Sequence, residues 1–276
     1  MLLFKYTANA EAVLRTEKIK ISAACDFNDP FELSPLFDCD SLTPKLLRDM
    51  FSVEHVINKY YFTETNGRVP YEEYKRDYLK QKKLSFRVAV QNRRKNELIT
   101  GLNKYFAMSF DRRFRLFCGS KVADSILMWS HYAANHEGCV IGFDLQKPPF
   151  QHVREFIADV EYQEDRATYR FSPKQTYDHK DILAVAKIKH TDWSYEKEVR
   201  VMFPTTNSFY PIPCTTIRTV ILGARFHRIH QDKQKAIHDL LNEPRYRHVE
   251  IQSASLSQDK FGIECKVLRP MSSPSS

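Results

Sequence analysis

The sequence predicts an α+β fold in which a strand-rich core carries a block of helices inserted after its first elements. Short apolar runs at Cys139–Asp144, Glu198–Phe203 and Ile217–Leu222 have the length and composition of buried strands. Residues 43–104 show a mainly helical pattern instead. The chain has 276 residues, of which 42% are hydrophobic, so it is long enough to bury a full core. We therefore expect one catalytic domain over 1–270, with 43–104 as a basic helical insertion and 271–276 as a disordered tail.

The first half of the chain is divided by turn and cap signals. Asn9 is a helix N-cap candidate, the Asn, Asp and Pro of 27–32 mark a turn, and Pro44 and Pro70 each suit a first helical position. In order, we predict a strand at 2–7, a helix at 9–15, an extended segment at 19–22, a turn at 27–32, and helices at 71–83 and 85–104.

The second half returns to strands. Gly138 follows a buried helical pattern as an end signal, and Gly223 follows an apolar strand. In order, we predict a strand at 105–110, a basic and aromatic loop at 111–120, a helix at 124–134, strands at 139–144 and 160–162, a helix at 178–187, strands at 198–203 and 217–222, a helix at 230–241, and strands at 249–253 and 265–268.

Charge is unevenly distributed. Residues 45–104 contain fourteen Lys or Arg against seven Asp or Glu, so this block carries +7 of the net charge of +8. Clustered positive charge indicates a nucleic-acid or acidic-protein partner, although many basic helices are simply solvated. The chain has no G-x-G-x-x-G and no Walker loop, which argues against the common phosphate-binding loops. Its six cysteines form no CxxC pair, which argues against a zinc ribbon or a disulfide framework.

Two carboxylates begin one of the apolar strands. Glu196, Glu198 and Arg200 are spaced two residues apart, so on a strand they share one face. Such a face is able to stabilise a developing positive charge. It also has the composition of an exposed strand face on which Glu and Arg pair as neighbours, and spacing alone leaves both interpretations open.

Other residues suggest weaker candidates. The loop Arg112, Arg113, Phe114, Arg115 combines guanidinium groups with an aromatic ring and could contact nucleic acid, as could Arg93 and Arg94. Asp29 and Glu32 could be metal ligands, although Asn-Asp-Pro is also ordinary turn chemistry. His131 and His136 are five apart and do not match the zincin spacing, so we predict no metal site from them.

Four segments together carry a resemblance. Phe4-Lys-Tyr, Phe27-Asn-Asp-Pro-Phe-Glu, Met128-Trp-Ser-His-Tyr-Ala and Trp193-x-x-Glu-x-Glu-x-Arg resemble a large bacterial family of uncharacterised domains. The order of elements is similar to that of ADP-ribosyltransferase domains, which implies a split β-sheet core. The match has two departures. The first strand has Lys5 and Tyr6 where Arg or His is more usual, and Ser109 stands alone where some subclasses have Ser-x-Ser.

The resemblance implies roles for individual residues. Glu198 would hold the ribose and face the charge formed when the nicotinamide–ribose bond breaks, Glu196 would orient or deprotonate the acceptor, and Ser109 would position Glu198. The residues implied for NAD binding are Lys5, Tyr6, Asn28, His131 and Tyr132. Lys5 would meet a phosphate, and the tyrosines would stack on the nicotinamide or adenine.

These observations lead to one expected function and two alternatives. We expect an NAD-dependent ADP-ribosyltransferase that modifies a macromolecule, with nucleic acid favoured, in the manner of a bacterial toxin or phage-defence effector with an antitoxin protein as partner. The alternatives are a non-catalytic nucleic-acid-binding module and a metal-dependent nuclease using Asp29, Glu32, Glu196 and Glu198. The N-terminal residues lack a signal-peptide pattern and no segment approaches 18 apolar residues, so we expect a cytoplasmic protein without membrane contact.

Overall fold

The structure is a computed structural model that describes residues 1–37, 57, 61, 64–65, 68–91, 106, 110–169 and 179–272. The chain separates into two compact units. The first comprises Met1–Glu32, Phe110–Asp165 and Lys187–Ser276, and the second comprises Leu33–Ser109 and Arg166–Ala186. The predicted insertion at 43–104 falls within the second unit. No helix in the described part of the chain is both long enough and apolar enough to cross a membrane.

The first unit contains most of the strands. Its helices are α1 (Ala10–Thr16), α3 (Ile126–Tyr132) and α5 (Gln231–Asn242). Its strands are β1 (Leu2–Thr7), β2 (Lys18–Lys20), β4 (Arg115–Ser120), β5 (Cys139–Asp144), β6 (Ile157–Asp159), β7 (Glu161–Gln163), β9 (Ile188–His190), β10 (Glu198–Phe203), β11 (Phe209–Pro211), β12 (Ile217–Leu222), β13 (Glu250–Leu256) and β14 (Ile263–Arg269).

One large mixed sheet organises this unit. Among the described residues its strand order is β14-β13-β12-β5-β1-β4-β10-β6, and the β12–β13 pair is parallel whereas the others are antiparallel. Alternation places Leu3, Val199 and Val201 on the face covered by α1 and α5. The opposite face carries Tyr6 and Val140 and packs against Met128 and Trp129 of α3. Glu198 and Arg200 point to this second face, which therefore holds the polar site described below.

The second unit contains α2 (Tyr71–Gln91), α4 (His179–Ala186) and a short parallel pair of β3 (Leu36–Phe37) with β8 (Thr168–Tyr169). Tyr61 packs against α2, with its ring 5.4 Å from that of Tyr74, and its hydroxyl donates to the carbonyl of Val69. The guanidinium of Arg166 donates to the carbonyl of Ser34 through Nε at 2.8 Å, which holds the segment before β3 next to the segment before β8.

Most predicted elements of the first unit are confirmed, and the whole is a mixed α/β structure with a large mixed sheet. The bounds of β5, β10 and β12 agree with the predicted strands. The turn at 27–32 is also present, because Asp29 Oδ1 accepts from the backbone N–H of Phe31 at 2.9 Å. Asn9 is the N-cap of α1, but its side chain makes no capping hydrogen bond.

Three predictions of secondary structure are wrong. The helix beginning after Pro70 continues without a break through residue 84 to Gln91, because its sequence contains no Gly or Pro to end it. Phe106 and Phe110 are helical, whereas a strand was predicted at 105–110. The expected loop at 111–120 forms β4 from Arg115 onward, because pairing with β1 and β10 outweighs its weak local preference.

Candidate functional site

A cavity of about 280 Å³ opens on the face of the large sheet that α3 covers. All four segments that carried the family resemblance contribute to its wall. The lining residues are Phe4, Lys5, Tyr6, Ser22, Asp26, Phe27, Asn28, Cys118, Gly119, Met128, Tyr132, Lys189, Glu196 and Glu198. The sequence segments from 4 to 198 therefore meet at one polar pocket.

Arg200 is the centre of a buried ion network next to this cavity. Its side chain is fully buried, and it binds Glu198 in a bidentate manner, with Nε 3.0 Å from Oε1 and Nη2 3.1 Å from Oε2. Its Nη1 donates to Glu32 Oε1 at 2.5 Å. The guanidinium also lies 5.7 Å from the ring centre of Phe27. The turn at 27–32 and strand β10 are thus joined through one guanidinium.

Lys189, on β9, connects the two carboxylates of the 193–200 segment. Its Nζ donates to Glu196 Oε2 at 2.6 Å and to Glu198 Oε2 at 3.2 Å. The ammonium lies 4.7 Å from the ring centre of Trp193, a cation–π contact. Three side chains of the Trp-x-x-Glu-x-Glu motif therefore hold the same lysine.

Burial and ion pairing set the charges in this network. Burial alone would raise the pKa of Glu198, but the charges of Arg200 and Lys189 outweigh it and lower that pKa to about 2. For Glu32 burial prevails over Arg200, so its pKa is raised, and its Oε2 is buried without a hydrogen-bond partner among the described residues. Burial lowers the pKa of Lys189, but the charges of the two glutamates raise it by more, so the net effect is a rise. Glu198 is therefore ionised at neutral pH.

Glu196 is held by donors from three elements. The hydroxyl of Tyr132, in α3, donates to its Oε1 at 2.7 Å, while Lys189 binds Oε2. Its backbone carbonyl accepts from Ser120 Oγ at 2.6 Å. Burial, followed by the hydrogen bond to Glu196, raises the pKa of Tyr132, which remains a phenol donor at neutral pH.

The two glutamates do not share a strand face in the predicted manner. Glu196 ends a 3₁₀ helix (Thr191–Glu196), and Lys197 adopts a left-handed conformation with φ 45° before β10 begins at Glu198. Strand alternation does not extend across a left-handed residue, so the predicted geometry is wrong. The carboxylates meet at the cavity because Lys189 binds both. The face is also buried, since Glu196, Glu198 and Arg200 are 3%, 6% and 0% exposed, which rules out an exposed Glu–Arg face.

The other residues predicted for NAD binding differ in their placement. Lys5 lies on the cavity wall and donates to the carbonyl of Cys118 at 2.8 Å. Tyr6 also lies there, but its hydroxyl donates to the carbonyl of Val122. Asn28 is exposed at the cavity. His131 is exposed and is not among the lining residues. Ser109 lies outside the described residues.

The predicted nucleic-acid contacts are only partly described. Arg112 and Arg113 are exposed in the turn before β4. Arg115 is the first residue of β4, and its Nη1 donates to the carbonyls of Asp111 and Phe114, so it is oriented by backbone. Arg93 and Arg94 lie outside the described residues.

The metal-dependent alternative gains no support from the positions of its ligands. Asp29 is used in its own turn, and Glu32 and Glu198 bind the same arginine. Within the described ranges, no group of three or more His, Cys, Asp or Glu is arranged to hold a metal ion.

Two members of the site were given no role by the sequence predictions. Lys189 follows the helix at 179–186, where one lysine among several carries no distinguishing pattern. Cys118 sits in the segment taken for a loop. Burial, followed by the charge of Glu198, raises the pKa of its thiol well above the ordinary value. The sequence of β4 combines Arg115, Gly119 and Ser120 with three apolar residues and offers no clear strand signal.

Comparison with known proteins supplies one match. A family model described as a protein of unknown function (DUF2971) matches residues 128–201. This segment includes Tyr132, Lys189, Glu196 and Glu198 of the cavity wall. No curated protein and no solved structure gives a significant match.

Proposed function

We propose that the protein is an NAD-dependent mono-ADP-ribosyltransferase that modifies a macromolecule, and that the nicotinamide–ribose bond is broken in the cavity beside Glu196 and Glu198. The observation that carries the proposal is the pair of buried carboxylates on one wall of a small cavity, of which Glu198 is ionised at neutral pH. Breaking this bond leaves positive charge on the ribose. A fixed negative charge in a site shielded from water stabilises that transition state more than the neutral ribose of the ground state.

The hydrogen bonds of the two carboxylates support different roles. Glu198 accepts three hydrogen bonds, two from Arg200 and one from Lys189. Glu196 accepts from Tyr132 and Lys189 only, among the described residues. Glu196 therefore has remaining capacity to accept from a substrate hydroxyl or an attacking group. We assign substrate contact to Glu196 and the fixed charge to Glu198. The sequence predictions had instead given the contact with the ribose to Glu198.

The size and polarity of the cavity suit one end of the dinucleotide. Ligand pockets usually measure roughly 300–1,000 Å³, so about 280 Å³ accommodates a nicotinamide and its ribose rather than all of NAD. Lys5 uses one of its three donor hydrogens on the carbonyl of Cys118 and has others for a phosphate. Phe4 and Tyr6 supply aromatic surface on the same wall.

Nucleic acid is the favoured acceptor because residues 45–104 carry +7. Most of this block lies outside the described residues. A toxin or defence effector with an antitoxin partner agrees with such an activity. The analogy with ADP-ribosyltransferase domains, rather than any contact in the structure, suggests this biological role.

The proposal is tested by incubating labelled NAD with the protein in the presence of RNA, DNA or protein extract. We expect label on one acceptor class, and a loss of at least roughly 100-fold in Glu196→Gln, the size expected for removal of a positioned acid–base group. Glu11→Gln is the matched control, because Glu11 forms an exposed ion pair with Arg15. Thermal unfolding of each variant shows whether it is folded.

Two results would count against the proposal. A folded wild-type protein that labels no acceptor but still binds nucleic acid would indicate the non-catalytic binding module instead. Labelling that Glu196→Gln leaves unchanged would place the reaction elsewhere on the protein.

A further inference from the structure

The outer edge of β14 is unpaired in the sheet as described. β14 is the last strand of the order, and residues 264–268 are all exposed. Val267 and Leu268 are 47% and 56% exposed. A strand of this kind presents a row of N–H and C=O groups to which another strand can pair.

The hydrogen-bonding pattern shows which residues point outward. Ser257 N–H donates to the carbonyl of Gly262 at 3.0 Å, and the β13–β14 pairing continues from there in a constant register as far as Val267. Residues of an antiparallel pair alternate between bonded and non-bonded positions. The main-chain groups of Ile263, Cys265 and Val267 therefore point away from β13. A register shift next to Ile251 ends this regular edge after Val267.

The regular edge, 263–267, is self-complementary about Cys265. When a second copy pairs antiparallel with Cys265 opposite Cys265, Ile263 lies opposite Val267 in the hydrogen-bonded positions. Glu264 then lies opposite Lys266, twice, in the non-bonded positions where side chains are closest. Registers shifted by one residue on each strand place Glu264 opposite Glu264 or Lys266 opposite Lys266, which like-charge repulsion disfavours.

We propose that the protein forms a symmetric dimer by pairing the β14 edges of two copies, with Cys265 on the twofold axis. The large sheets of the two copies then continue as one sheet through the interface. Charge complementarity between Glu264 and Lys266 selects a second copy as the occupant and fixes its register. The exposed side chain of Val267 gains a contact with Ile263 across the axis.

Charge exchange tests the register directly. Glu264→Lys puts Lys opposite Lys, and Lys266→Glu puts Glu opposite Glu, so each single change weakens the dimer by roughly 10-fold or more in low salt. The double variant restores opposite charges and recovers the wild-type dissociation constant. Sedimentation over a concentration series at low salt measures each constant. Since both side chains are exposed, the variants retain the monomer fold.

Two further variants separate edge pairing from other contacts. Val267→Pro removes an outward N–H while leaving the β13–β14 hydrogen bonds intact, so it abolishes the dimer without unfolding the sheet. The Cα atoms of Cys265 in the two copies lie about 5.5 Å apart in a bonded pair, within the roughly 4.4–6.8 Å that a disulfide spans. A thiol oxidant such as diamide therefore cross-links wild type but not Cys265→Ser, and Cys25→Ser, at another exposed thiol, remains cross-linked.

The proposal is overturned if the wild type remains monomeric throughout the concentration series. It is also overturned if Val267→Pro dimerises normally, or if the double charge exchange is as weak as the single changes. None of these measurements depends on catalytic activity, so the outcome is independent of the proposed function.

Discussion

Replacing Arg200 by Met removes the guanidinium that binds two buried carboxylates. Glu198 and Glu32, whose side chains are 6% and 2% exposed, then lose this partner without gaining access to water. Breaking a buried ion pair from one side costs about 3–5 kcal/mol. We expect the free energy of unfolding at pH 7 to fall by this amount in Arg200→Met.

The pH dependence of this loss follows from the pKa of Glu198. It is lowered from 4.5 to about 2 in the folded protein, a stabilisation of about 3 kcal/mol. Since the folded pKa is below the unfolded one, this stabilisation is present above pH 4.5 and is lost as the pH falls toward 2. Without the guanidinium, burial favours the protonated, neutral forms of Glu198 and Glu32. Acid protonates them and so removes the unpaired buried charge that destabilises Arg200→Met. The difference between wild type and Arg200→Met therefore shrinks from pH 7 to pH 4.

The assay is urea unfolding followed by tryptophan fluorescence at the two pH values. Trp129 and Trp193 are the two tryptophans of the chain, and both belong to the unit that contains Arg200. Arg15→Met is the matched control, because the Arg15–Glu11 pair has side chains 58% and 26% exposed and contributes at most about 1 kcal/mol. The reasoning is refuted if both variants lose the same stability at pH 7, or if the loss in Arg200→Met grows at pH 4.

Three other substitutions give defined expectations. Gly223→Ala places a Cβ 2.1 Å from a backbone oxygen and lowers stability in the same urea assay by at least about 1–3 kcal/mol, whereas Gly262→Ala, whose Cβ meets only atoms 3.9 Å away, leaves it unchanged. Tyr132→Phe removes a donor to the substrate-contacting carboxylate and lowers ADP-ribose transfer at least roughly 10-fold with a smaller effect on KM; unchanged transfer would contradict this. Trp193→Leu lowers the free energy of unfolding in urea by about 1–2 kcal/mol, and this loss disappears in a Lys189→Met background. A loss that persists in that background would exclude the cation–π contact.

The sequence predicts those elements whose own residues are mostly apolar, because their burial follows from composition. Strand β5 consists almost entirely of apolar side chains, so its bounds follow from composition. Strand β4 combines Arg115, Gly119 and Ser120 with three apolar residues and has no clear strand pattern. Gly119 fits there because the side chain of Leu3 occupies the space of a Cβ, 2.5 Å away. Pairing with β1 and β10 makes this segment a strand, and such pairing cannot be read from a local window of sequence.

The site shows the same division. The spacing of Glu196, Glu198 and Arg200 directs attention to the correct residues, but the left-handed conformation of Lys197 has no signal in the sequence. Arg200 also binds Glu32, which lies 168 positions away in the chain. The sequence suggested Glu32 only as a metal ligand. Such pairs become visible when the chain has folded, because no periodicity connects residues so distant.

The strand order β5-β1-β4-β10 limits how far the chain can be truncated before the sheet loses its central strands. The segment 128–201 contains β5 and β10, but the two strands that separate them in the sheet come from 2–7 and 115–120. A fragment limited to 128–201 would expose the edges of both strands and leave Arg200 without Glu32. We expect such a fragment to aggregate, so a homologue recognised through this segment alone must be produced with the residues that precede it.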